Sequence, residues 1–311
     1  VGMNSEKETF QSKNYVSKSL FYRFSQFVGF LLGARFFVAA LLTFALYVST
    51  FFLFNQDESF QKFVFDFKVH GIIFCTVLTI LAGGIINQFY DLEKDHIVKP
   101  FRTRVQSFIK QKYFLYAYLA LSAISLGVAW MISHNVFVFF VVYQFFMWFY
   151  SHKLSRILIL NNLTFVSLTL YPFFGMMVYY ETFSKKVFLM AVFLFLILLC
   201  IDIVKDTLTR SVDKTFGYTT IPNYFKTRNT KIILTVLLII TMAVSMKIIT
   251  KTGVTGFMAY YFAGGLFIMI LCIYLLINAS RRSNFLTLNV LRFWVFVGII
   301  AMLLNGIEHK L

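Results

Sequence analysis

Two acidic stretches hold the residues best suited to chemistry. Asn87, Asp91 and Asp95 are spaced i, i+4, i+8, so on an α-helix they fall in one stripe. Lys99, Arg102 and Arg104 follow within a few residues. Carboxylates and an amide oxygen suit a hard cation such as Mg²⁺, which keeps several waters and shares substrate phosphates. Lysine and arginine suit the same phosphates as charge partners. The second stretch contains Asp202, Lys205, Asp206, Thr209, Arg210 and Asp213. Asp206 and Asp213 share a helix face, because their separation is close to two turns. A carboxylate at the end of an apolar span is costly unless it is paired, hydrated or metal-bound. The plainer reading of both stretches is a charged helix end neutralised by its own lysines and arginines.

The elements that must position these residues are apolar. The chain has 311 residues, of which 59% are hydrophobic and only 14% charged, against about 25% charged in soluble domains. Apolar runs of spanning length fall at 27–54, 69–90, 112–132, 135–150, 157–180, 186–204, 230–250, 256–278 and 290–306. This pattern predicts an all-α, polytopic membrane protein with nine transmembrane helices. The third and fourth runs are separated only by Ser133, His134 and Asn135, which predicts a tight hairpin. Residues 1–26 read as a polar cytoplasmic segment, with no cleavable signal peptide. Residues 27–306 form one membrane domain, and 307–311 a short outer tail. Cys75, Cys200 and Cys272 lie inside apolar runs without metal or disulfide spacing, so they are expected to be small core residues.

The net charge of +16 raises nucleic acid as a partner, but its distribution argues for topology instead. Lys62, Lys68, Lys185, Lys186, Lys247, Lys251 and Lys310 fall in one alternating set of loops. All other Lys and Arg except Arg35 fall in the opposite set. The positive-inside rule then places the N-terminus in the cytoplasm and the C-terminus outside, and membrane lipids account for the remaining basic charge. Both acidic stretches lie on the cytoplasmic face. Arg35, inside the first run, is expected to face the protein interior or to snorkel, which makes it a possible substrate contact.

The first stretch, Asn-x-x-x-Asp-x-x-x-Asp followed by Lys99-Pro100-x-Arg102, resembles the first aspartate-rich motif of the UbiA superfamily of intramembrane prenyltransferases. The second resembles its partner motif through Asp202, Lys205-Asp206, Asp213, Gly217 and Thr220-Ile221-Pro222. Thr209 stands where that motif has its middle aspartate, Val212 where it has a glycine, and Thr103 where a proline usually follows the arginine. Tyr150, Lys153 and Asn162 resemble residues around the family's fourth and fifth spans. The resemblance implies helices around a central chamber that opens near the cytoplasmic face. It implies Mg²⁺ held by Asn87, Asp91, Asp95, Asp206 and Asp213, and a prenyl diphosphate gripped by Lys99, Arg102, Lys153 and Lys205. Tyr150 and Tyr171 are candidates to face an allylic cation, since aromatic faces attract cations.

The expected function is transfer of a polyprenyl group from a prenyl diphosphate to a small-molecule or lipid acceptor in a bacterial inner membrane. The acceptor class is open among quinone, haem, chlorophyll-like and glyceryl phosphate types. Thr209 motivates a second reading, a relative that binds or assembles without catalysis, because a neutral hydroxyl is a poorer ligand for a hard dication. A transporter is disfavoured because the acids cluster at span ends and no inverted repeat is evident.

Overall fold

The computed structural model describes residues 22–32, 34–54, 59–107, 109–278 and 280–310, so most of the expected 1–26 segment lies outside the described residues. Among them the chain is all-helical, with no strand. Residues 22–32 form α1, and α2 is Phe36–Ser49, continued by a wider π-helical turn, Thr50–Phe54. There follow α3 (Phe60–Val64), α4 (Phe67–Tyr90), α5 (Leu92–Val98), α6 (Pro100–Gln106), α7 (Gln111–Ile132) and α8 (His134–His152). The remainder are α9 (Leu160–Tyr179), α10 (Lys185–Thr215), α11 (Ile221–Tyr224), α12 (Thr227–Lys251), α13 (Gly256–Ile277) and α14 (Arg281–Lys310). Eight helices among the described residues are long and apolar enough to cross a membrane: α2 with its π turn, α4, α7, α9, α10, α12, α13 and α14. The expected fourth span is α8, a 19-residue helix whose His, Asn, Gln, Tyr and Trp residues keep it outside those eight. The expected hairpin before it is present: Ser133 ends α7 and caps α8, its hydroxyl accepting from Val136 N at 3.2 Å.

Three boundaries differ from the sequence expectation. The first apolar run is interrupted by a turn at Ala34–Arg35, so Arg35 precedes the span instead of lying within it. The helix carrying Asn87 breaks at Asp91, which ends α4 and starts α5. Residues 205–215 continue α10 as helix, since nothing from Lys205 to Phe216 is glycine or proline. Gly217 ends it. With φ of 73°, a conformation glycine adopts without strain, it lets Gly217 N bond Lys214 O and Tyr218 N bond Asp213 O, the paired bonds of a Schellman turn. At the C-terminus, α14 runs on to Lys310, so the expected tail is largely its last turn.

The long helices form a closed series of neighbours: α2 packs on α4, α4 on α7 and α8, α8 on α9, α9 on α10. On the other side α10 packs on α12 and α14, α12 on α13, α13 on α14, and α14 returns to α2. Two apolar cores result. One joins α9, α10, α12, α13 and α14 around Phe193, Ile197 and Phe262; the other joins α2, α4, α7, α8 and α9 around Leu46, Phe140 and Tyr143. Helix α9 supplies both, with Val166 and Leu170 to the first and Leu168 and Met176 to the second. An apolar cavity of about 170 Å³ lies between α2, α9, α10, α13 and α14, lined among others by Leu42, Ser49, Phe173, Met190, Tyr261 and Met302.

Polar bonds knit the spans where apolar burial gives little drive, since lipid is as apolar as leucine. Cys75, Thr79 and Ser125 bind α4 to α7: Ser125 Oγ donates to Cys75 O at 3.1 Å and meets Thr79 Oγ1 at 3.0 Å. Pro172 sits inside α9 and cannot bond the carbonyl four residues before it. That carbonyl, Leu168 O, instead accepts from the buried Tyr143 hydroxyl of α8 at 3.1 Å. Tyr143→Phe is therefore expected to cost about 1–3 kcal/mol by orphaning a buried acceptor. Thermal unfolding in detergent reads it; an unchanged melting temperature would remove the account.

Candidate diphosphate and metal site

The first motif is split by the break at Asp91. Asp91 Oδ2 accepts from Asn87 Nδ2 at 3.0 Å, so the i, i+4 pair forms as the spacing predicts. Its Oδ1 accepts from the Tyr218 hydroxyl, 127 residues on. The Schellman turn after α10 delivers that tyrosine. Its ring lies under Lys94 Nζ at 4.0 Å and near the Arg156 guanidinium at 5.3 Å, and Asn223 Nδ2 holds its carbonyl at 3.1 Å. Burial first, and the Asp91 charge second, push the Tyr218 pKa up, so the hydroxyl remains a donor throughout the working pH range. Tyr218→Phe should weaken Mg²⁺-dependent diphosphate binding by about 10–100-fold, the usual cost of losing a partner that orients a ligand. A titration of pyrophosphate binding against Mg²⁺ tests this.

Asp95, on α5, is 3% exposed and faces a cluster of cations. Lys99 Nζ meets its Oδ1 at 2.8 Å, and its Oδ2 is buried without a hydrogen-bond partner. Burial lowers the Lys99 pKa most strongly; Asp95 opposes this, and the Arg35 and Arg102 charges add to it. Arg102 is likewise lowered by burial and by Arg35. Lys99 pairs with Asp95 while the Arg35 and Arg102 charges act on it, an excess of positive charge that suits a polyanion. Arg35 reaches the cluster from a left-handed turn with φ of 54°, and its Nε is buried without a partner. Such strain in a non-glycine residue persists where the surroundings enforce it. Here Gly84 of α4 allows the approach: a Cβ on it would stand 2.8 Å from Ala34 O.

The second motif also divides. Asp202 and Asp206, both buried, are joined by the fully buried Asn162, whose Nδ2 donates to Asp202 Oδ2 at 2.7 Å and Asp206 Oδ2 at 2.9 Å. Asn161 Nδ2 adds a bond to Asp206 Oδ2 at 3.3 Å. Lys205 pairs with Asp202 Oδ1 and lies 3.7 Å from Asp206 Oδ1. Tyr150, near the end of α8, packs its ring against Phe165 of α9 at 6.1 Å between centres. Asp213, about two turns further along α10, is wholly buried. Thr209 Oγ1 donates to its Oδ2 at 2.6 Å. Lys94 Nζ lies 2.6 Å from its Oδ1, an ion pair without good hydrogen-bond alignment.

Of the residues singled out from sequence, Asn87, Asp91, Asp95, Lys99, Arg102, Arg35, Lys205, Asp206 and Asp213 fall into these linked groups. Lys153 is exposed just after α8. Tyr171 is stacked between Phe139 and Tyr143, at 4.4 and 4.8 Å between ring centres, with its hydroxyl on Phe139 O. That is core packing. Tyr218, Lys94 and Asn161 were not singled out. Only the adjacent Gly217, a turn former, hinted that Tyr218 would be carried back to the first motif.

The donors fit Mg²⁺ by type. All are oxygens, and Asp95 Oδ2, Asn161 Oδ1 and Asn162 Oδ1 are buried acceptors without a hydrogen-bond donor. No three Asp, Glu, His or Cys side chains converge among the described residues. Mg²⁺ tolerates that, since it is commonly held by one or two carboxylates plus waters and substrate phosphates.

The structure resembles solved membrane proteins. One, from work on digeranylgeranylglyceryl phosphate synthase, matches with a TM-score of 0.70 at 18% identity, covering 91% of this chain and 99% of that one. A UbiA homologue from Aeropyrum pernix K1 matches at 0.64 and 17% identity, covering 85% and 98%. A homologue from Archaeoglobus fulgidus bound to DMAPP and Mg²⁺ matches at 0.66 and 14% identity, covering 90% and 98%. A search of curated proteins gives no match. The model of the UbiA prenyltransferase family matches residues 33–297. Together with the eight apolar spans among the described residues, this makes the chain an integral membrane protein that belongs to the UbiA prenyltransferase family.

Proposed function

We propose that this protein is a Mg²⁺-dependent prenyltransferase that moves a polyprenyl group from a prenyl diphosphate to a lipid-precursor acceptor. The observation that carries the reading is the bridging of the two acidic motifs. Tyr218 joins Asp91, and Lys94 joins Asp213, beside the Arg35, Lys99 and Arg102 cluster. The homologues bound to DMAPP or GPP with Mg²⁺ support the same donor class.

In this reading Asn87, Asp91 and Asp95 would hold Mg²⁺, with Asp206 and Asp213 supplying the acids of the second motif. Bound Mg²⁺ supplies charge neutralisation as the allylic C–O bond breaks. Lys99, Arg102 and Arg35 bind the phosphate oxygens, with Lys205 at the second motif and Lys153 at the rim. Tyr218 orients the Asp91 carboxylate. Tyr150 offers a ring face to the allylic cation. The tail follows the apolar cavity between α2, α9, α10, α13 and α14.

Nine crossings, counting α8, would place the N-terminus in the cytoplasm and the C-terminus outside, with the chamber opening on the cytoplasmic side of a bacterial inner membrane. The domain division at 26 and 306 belongs to the same reading. Among acceptors, a glyceryl phosphate type has the support of the digeranylgeranylglyceryl phosphate neighbour.

Diphosphate release by purified protein, with Mg²⁺, donors of several lengths and acceptors of the quinone, haem, chlorophyll-like and glyceryl phosphate types, tests the proposal. Turnover lost in Asp91→Ala and Asp206→Ala supports it. No release with any combination would favour a binding or assembly role.

A further inference from the structure

The contact between Lys94 and Asp213 lies where a second cation would be expected. Thr209 and Asp213 are spaced i, i+4 on α10, as Asn87 and Asp91 are at the end of α4, and the two pairs are linked by Tyr218, bonded to Asp91, and by Lys94, which lies over the Tyr218 ring and pairs with Asp213. Both Asp213 oxygens are engaged. Oδ2 takes the Thr209 hydroxyl, and Oδ1 has the Lys94 ammonium at 2.6 Å. The carboxylate is 0% exposed, so no free edge remains for another ligand. Mg²⁺ binds oxygen at about 2.0–2.1 Å and wants anionic ligands. A neutral threonine hydroxyl is poor for it, and an ammonium at that position excludes it sterically and by charge. Lys94 is also fixed from its other side by the Tyr218 ring at 4.0 Å, with 19% of its side chain exposed. It is part of the built site, not a surface lysine that happens to pair.

We infer that Lys94 replaces one of the two metal ions that paired acidic motifs would hold: the chain uses a single divalent cation, on the Asn87–Asp91 side, and a tethered ammonium at Asp213. Thr209 and Lys94 are then one compensated change. Exchanging Asp for Thr at 209 removes a negative charge, and a lysine at 94 supplies a single positive charge where a dication would need two carboxylates. A diphosphate bound there meets Mg²⁺ on one flank and Lys94 on the other. This inference rests on the proposed diphosphate function.

The test is a count of Mn²⁺ ions bound per chain in the presence of inorganic pyrophosphate, read by electron paramagnetic resonance on the detergent-purified protein. The wild type should hold one ion, without the spin–spin coupling of a close metal pair. The double variant Lys94→Gln/Thr209→Asp should hold two, with coupling. Two coupled ions in the wild type would overturn the inference while leaving the prenyltransferase reading intact, and so would one ion in a folded double variant. No bound Mn²⁺ in either protein would overturn both. If the double variant fails to fold, the wild-type count decides: one ion supports the inference and two reject it.

Discussion

Asp91→Asn should slow Mg²⁺-dependent diphosphate release by about 10³-fold, the scale of losing a preorganised charge contact at a reacting centre, with little change in melting temperature. The substitution is nearly isosteric and sits at the junction of α4 and α5, where backbone bonds run from Asp91 N to Asn87 O and from Asp95 N to Asp91 O. Those bonds survive. The carboxylate charge held between Asn87, on Oδ2, and Tyr218, on Oδ1, does not. Asp213 is committed to Lys94, so the first motif has no equal partner to take over its cation. Steady-state release with saturating donor and a Mg²⁺ titration separates lost affinity from lost rate. Turnover near wild type at any Mg²⁺ concentration would refute the assignment.

Lys205→Met should be the most damaging change to stability among the site residues, at about 2–4 kcal/mol. Breaking a buried pair typically costs 3–5 kcal/mol; the lower range reflects a lysine whose side chain is 41% exposed. Without it, Asp202 and Asp206 share Asn162 as two like charges with no cation between them. A dication that binds the folded state then gains more than it does in the wild type, by linkage. Mg²⁺ should therefore raise the melting temperature of Lys205→Met by a larger margin than that of the wild type. Equal Mg²⁺ shifts in both proteins would show that these carboxylates do not sense the cation.

The apolar runs and the i, i+4 pairing of Asn87 with Asp91 were legible because both depend on residues close in sequence. So was the hairpin capped by Ser133. The break at Asp91 was not, since neither glycine nor proline marks it. The apolar run ends near residue 204, where hydropathy falls, yet α10 continues to Thr215 because helix propensity does not fall with it. The spacing that put Asp206 and Asp213 on one face was sound, yet the pair is split by partners from α9 and α5 that spacing cannot name. Tyr218 and Lys94 escaped for the same reason: one reaches Asp91 and the other Asp213 only after the chain has folded. Tyr171 shows the converse limit, because an aromatic residue in a span that packs looks the same in sequence as one that faces a cation.

Helix α10 is 31 residues long, roughly 46 Å at 1.5 Å per residue, while a bilayer's hydrocarbon layer is about 30 Å. Its acidic end therefore reaches into the headgroup and aqueous zone as its apolar end lies among acyl chains. Under the proposed function, the two halves of the donor belong to different phases, and so do the quantities that set its occupancy. Mg²⁺ acts at its bulk molarity, whereas the prenyl diphosphate acts at its mole fraction in the membrane. Adding inert lipid at fixed total donor should raise the apparent KM in proportion to the dilution and leave the Mg²⁺ requirement where it was, the kinetics of an enzyme working on a surface.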